Sequence, residues 1–77
     1  MSFDVAWSFA ARKDLQRLHW RTAGDVDGAV QRLASSGAGH VERIPGEAMK
    51  AWLHVGRHRV LLQIDAPAKT VFVLRVY

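Results

Sequence analysis

The chain has 77 residues, 49% hydrophobic and 23% charged, with a net charge of +4 and no cysteine. That length makes one domain, 1–77, burying about 60% of its unfolded surface; the composition is globular rather than disordered, and no disulfide or thiolate zinc site holds it. No apolar run approaches the roughly 20 residues of a membrane span and no signal peptide is visible, so a cytoplasmic location is expected, and the positive charge favours acidic partners such as nucleic acid or an acidic protein.

Phe3-Asp4-Val5-Ala6-Trp7 alternates and predicts a first strand near 3–8. Ser8 can cap a helix near 9–21, in which Ala11, Leu15 and Leu18 recur at helical spacing, with Trp20 closing it against the core. Arg12, Lys13, Gln16 and Arg17 lie off that stripe and read as a solvated basic face. Thr22 or Asp25 can cap a second helix near 25–36, with Val26, Ala29, Val30, Leu33 and Ala34 on one side and Gly37 as a left-handed C-cap. The short link favours an antiparallel helix pair. His40 to Glu47, ending at Pro45-Gly46, reads as loop. Strands follow near 49–55, 58–64 and 70–76.

Two of these strands meet at Gly56-Arg57, where Gly suits the first central position of a type II′ hairpin turn. The register then follows: His54 faces Arg59, Leu53 faces Val60, Trp52 faces Leu61 and Lys50 faces Gln63. Lys50, Trp52, His54, Arg59, Leu61 and Gln63 share one side of the sheet, while Ala51, Leu53, Val55, Val60, Leu62 and Ile64 share the other. The second side reads as core and the first as the functional surface. The expected fold is α+β, ordered β-α-α-β-β-β, with two helices packed on a small twisted antiparallel sheet.

Several segments carry a family resemblance. They are Trp7-Ser8 with Ala11, Lys13-Asp14-Leu15 and Arg17-Leu18; Leu33-Ala34 with Gly37 and Gly39; and Val41-Glu42-Arg43-Ile44 with Gly46. The most specific are the hairpin Leu53-His54-Val55-Gly56-Arg57-His58-Arg59-Val60-Leu61 and the closing Val73-Leu74-Arg75-Val76. In order and spacing, over nearly the whole chain, it resembles the RelE/ParE superfamily of bacterial toxin–antitoxin toxins. That family's hairpin usually reads Leu-Arg-Val-Gly-Asp-Tyr-Arg-Val. His54 therefore stands where a basic Arg or Lys is common, and Arg57 and His58 where Asp and Tyr are common. The resemblance implies a toxin neutralised by a cognate antitoxin protein in a hetero-oligomer. RelE-like members cut messenger RNA in the ribosomal A site and so inhibit translation; ParE-like members poison DNA gyrase. The first activity is expected here, with a gyrase poison or an inactive, antitoxin-binding form as alternatives. The family usually continues past its last strand with a basic stretch and a Tyr. This chain stops at Tyr77, so the 77-residue form is expected to be weak or inactive.

Cutting RNA through attack of a 2′-OH requires a base, an acid for the leaving 5′ oxygen, and cations around the phosphate. Arg59 matches the family's hairpin arginine and is the expected phosphate clamp, since its guanidinium keeps its proton. His54 is the candidate base, with the Arg59 charge beside it favouring the neutral form. Lys50, Arg57 and Arg75 add positive potential for substrate binding. Tyr77 can stack on a base, and Trp52 is either a stacking platform or a patch facing the antitoxin. No cofactor is implied. The four histidines do not suggest a metal site: His54 and His58 fall on opposite faces, and His19 and His40 lie in other elements.

Overall fold

The computed structural model describes residues 2–77. Seven elements follow in order: β1 (Asp4–Trp7), α1 (Phe9–Gln16), α2 (Trp20–Ser36), β2 (His40–Arg43), β3 (Lys50–Val55), β4 (His58–Asp65) and β5 (Thr70–Val76). The strands form one five-stranded sheet in the order β1-β5-β4-β3-β2. The helices are amphipathic and cover one side of it. Val26, Val30, Leu33 and Ala34 of α2 and Ala11 of α1 close over Ala51, Leu53, Val60, Leu62, Val71, Val73 and Val76.

The hairpin forms as expected. Gly56 has φ +58°, Val55 pairs with His58, and the register runs His54 to Arg59, Leu53 to Val60, Trp52 to Leu61 and Lys50 to Gln63. Gly37 closes α2 with φ +79°, its N–H donating to the Leu33 carbonyl at 2.9 Å. Ser8 caps α1 by accepting from the Ala11 N–H at 3.0 Å, while its hydroxyl donates to the Leu74 carbonyl at 2.7 Å. One serine thus ends β1, starts α1 and ties both to β5.

Six expectations are corrected. The first helix ends at Gln16, not near 21, and the second begins at Trp20, not 25. Leu18 still packs on the core, so the apolar stripe continues through a turn and does not reveal where the helix stops. Neither Thr22 nor Asp25 caps α2. His19, at φ −56° and ψ 143°, leaves helical geometry and accepts from the Arg21 N–H through Nδ1 at 3.2 Å. Trp20 consequently opens α2 and is 71% exposed rather than packed on the core.

The remaining two corrections concern the sheet. His40–Arg43, read as loop, is a strand paired antiparallel with β3, His40 to His54 and Glu42 to Trp52. Only Val41 of its four residues turns inward, too little to leave a period in the sequence. The sheet is mixed, because β1 lies parallel to β5, Asp4 beside Thr70 and Trp7 beside Val73. Alternation marks a strand but does not name its partner.

β5 carries a bulge. Leu61 faces Arg75 whereas Leu62 faces Val73, leaving Leu74 as the extra residue. This is why Val73 and Val76, three positions apart, are both buried.

Candidate functional site

The polar side of the sheet is built by three adjacent strands. His40 and Glu42 of β2, Trp52 and His54 of β3, and Arg59 and Leu61 of β4 share it through their cross-strand pairing. At its centre the Arg59 guanidinium lies over the Trp52 ring, 4.4 Å from its centroid, and 5.7 Å from that of Tyr77. The two rings meet edge to face at 5.6 Å. Tyr77 is held there by its backbone, which accepts from the Arg59 N–H at 3.1 Å and donates to the Arg59 carbonyl at 2.9 Å. The His58 ring adds a bond to the Tyr77 carbonyl through Nδ1 at 3.1 Å. The aromatic contact holds the guanidinium in place while Arg59 stays exposed, which leaves its donors able to meet an anion.

His54 lies directly opposite Arg59. Its Nε2 is 2.9 Å from the Glu42 Oε1. A carboxylate only accepts, so Nε2 donates in this bond, and in the neutral ring Nδ1 is the nitrogen able to accept a proton. Glu42 is not among the site residues expected from the sequence. It belongs to β2, and without that strand nothing places it next to His54. The His40 and His54 rings are in contact, centroids 4.8 Å apart.

The other expected site residues fall elsewhere. Lys50 is four residues along β3 from His54, about 13 Å away, and its ammonium is 4.0 Å from Glu47. Arg57 sits in the turn and lines a hollow with Thr22 and Asp25 of α2, on the helix side of the sheet. Arg75 is 5.7 Å from the Tyr77 ring, but its charge is engaged. Its Nε and one terminal nitrogen donate to the two Asp14 carboxylate oxygens at 2.9 and 3.1 Å. Asp14 also accepts from the Val76 N–H at 2.9 Å. Beyond Trp7 the edge of β5 has no strand beside it, and α1 lies there instead, with Asp14 standing in for the missing backbone acceptor. Arg75 is therefore a structural tie more than a free cation.

Asp14 is buried, at 8% exposure. The Arg75 hydrogen bonds hold its pKa below the ordinary carboxylate value against the opposing effect of burial, aided by the Val76 N–H and the Arg75 and Arg17 charges. A lowered folded-state pKa contributes stability that is present above the unfolded value and lost as pH falls through the folded one. Urea midpoints should therefore fall in the wild type below about pH 4. Asp14→Asn should start lower at neutral pH and lose less across that window. Parallel curves for the two would show that Asp14 contributes nothing to acid sensitivity.

Among the described residues, no three His, Asp or Glu side chains converge as metal ligands. No described helix is long and apolar enough to cross a membrane.

No protein-family model and no curated protein matches the chain. Solved structures do. The chain is similar to the RelBE2 toxin–antitoxin complex of Mycobacterium tuberculosis, with TM-score 0.87 and 26% identity over 100% of this chain and 91% of that one. It is similar to a mutant of the E. coli toxin RelE in the free state, with TM-score 0.84 and 15% identity over 99% of this chain and 82% of that one. The archaeal RelE–RelB complex of Pyrococcus horikoshii OT3 gives TM-score 0.84 and 17% identity over 99% and 93%. The last two, at such low identity, establish the shared fold. The chain therefore has the fold of the RelE toxins and resembles the RelE/ParE superfamily over its whole length.

Proposed function

We propose that this toxin is a RelE-like, ribosome-dependent endoribonuclease that cuts messenger RNA and is held in check by a cognate antitoxin. The observation that carries the reading is the juxtaposition of His54, hydrogen-bonded to Glu42 at 2.9 Å, and Arg59, held over Trp52 at 4.4 Å, on one solvent-facing strip. In this reading Arg59 grips the scissile phosphate and stabilises the charge that builds on it. His54 removes the 2′-OH proton through Nδ1, with Glu42 keeping the ring in the right tautomer. Trp52 and Tyr77 form the floor on which a flanking base rests. Lys50, on the same face but beyond Trp52, and Arg57, in the turn, add long-range attraction for RNA rather than contact at the reacting phosphate.

The antitoxin follows from the same surface. An acidic segment laid across it would meet Arg59 and the aromatic pair, and so block the RNA path. The test is induction of the chain in cells, with and without the product of the neighbouring reading frame, followed by primer extension on messenger RNA from isolated ribosomes. Growth arrest with codon-positioned cuts, relieved by the neighbour, is the expected result. Arrest with gyrase-dependent DNA breaks and intact RNA would move the protein to the ParE branch.

A further inference from the structure

Transesterification of RNA needs a second proton-transfer group, because the base that accepts the 2′-OH proton does not reach the leaving oxygen on the far side of the phosphorus. The strip offers one such group. His40 opens β2, faces His54 across the strand pair, and touches it with ring centroids 4.8 Å apart. It is exposed. Where His54 is committed to Glu42, the His40 imidazole is free to meet substrate. His40, His54 and Arg32 line a common hollow where the sheet edge meets α2.

The chain reaches this geometry through Gly39. Its φ is +152°, and a Cβ there would stand 3.0 Å from the Leu53 Cδ1. A side chain at this φ would be strained and would press on Leu53, so glycine eases the crossing that delivers His40 onto the sheet.

We propose that His40 is the general acid of this site; the assignment rests on the nuclease reading above. The 2′ oxygen attacks phosphorus and its proton passes to His54 Nδ1. The bond from phosphorus to the 5′ oxygen breaks, and protonated His40 gives its proton to that oxygen. The products are a 2′,3′-cyclic phosphate and a free 5′-OH, with no oxidant or co-reactant consumed. Two imidazoles, one oriented by a carboxylate and one free, divide the two proton transfers between them.

The test separates the acid from every other role. Programmed ribosomes are loaded with messenger RNA carrying either the ordinary phosphodiester or a bridging 5′-sulfur at the mapped cut. Sulfur leaves without a proton, so a general acid is not needed for it. His40→Ala should lower the single-turnover rate on the ordinary RNA by about 10²- to 10⁴-fold. On the sulfur-bridged RNA, wild type and variant should cut at rates within about threefold, because the acid-assisted step has been removed. His54→Ala, in contrast, should stay impaired on both. His40 is exposed and its strand pairs through backbone, so circular dichroism of His40→Ala should match wild type. Equal loss on both RNAs, or none on either, overturns the assignment while leaving the nuclease reading in place. A wild-type chain that leaves both RNAs whole overturns the nuclease reading itself.

Discussion

On the proposed nuclease function, replacing Arg59 with alanine is expected to weaken messenger RNA cleavage at least ten- to a hundredfold, with little change in folding stability. A charge-assisted contact to phosphate is worth roughly 1.5–3 kcal/mol. The loss in rate grows further where the contact tightens in the transition state. Stability should hold because the Arg59 side chain faces solvent, and the inward neighbours Val60 and Leu62 are untouched. Arg59→Lys is the informative companion. It keeps the charge but loses the planar fork that lies over Trp52 at 4.4 Å, so it should restore only part of the rate. Single-turnover cleavage on programmed ribosomes, with urea melts in parallel, reads both effects. Toxicity undiminished in Arg59→Ala would place the site elsewhere on the molecule.

The second large effect is on folding. Leu62 is fully buried in β4, between Ala51 of β3 and Val73 of β5. Truncating such a leucine costs about 2–5 kcal/mol, through lost transfer energy and the cavity left behind. A domain of this size holds only about 4–12 kcal/mol in total. Leu62→Ala should therefore remove a large share of the folded population's margin and lower the urea midpoint sharply. Leu61→Ala, one residue away on the polar face, should cost less than about 1 kcal/mol. Similar midpoints for the two variants would mean that the faces of β4 have been assigned the wrong way round.

The arrangement of the candidate site was partly legible in the sequence for a local reason. Gly56 sets the hairpin turn, and once the turn is known every pair along β3 and β4 follows, so His54 and Arg59 could be placed together with Trp52 on one strip. Glu42 and His40 could not. β2 is an edge strand with one inward residue, and it owes its existence to backbone hydrogen bonds with β3 rather than to any pattern of its own. The charge of Arg75 was misjudged for a related reason. Its partner Asp14 lies 61 positions away on α1, and only packing of that helix against the open edge of β5 joins them.

By itself the sequence determined the helix faces, the Gly37 cap, the hairpin register and the side of the sheet that is polar. Each of these is a matter of neighbours within a few residues, where backbone geometry and side-chain periodicity act directly. What only the tertiary structure decided is which distant segments meet, and at which phase. Simple alternation from Val71 and Val73 would send Arg75 and Tyr77 into the core. The bulge at Leu74 shifts the phase by one, buries Val76 instead, and turns Tyr77 out beside Arg59. Short-range chemistry cannot set that shift. It comes from the end of β5 satisfying α1, Asp14 and β4 at once, a condition that exists only after the chain has folded.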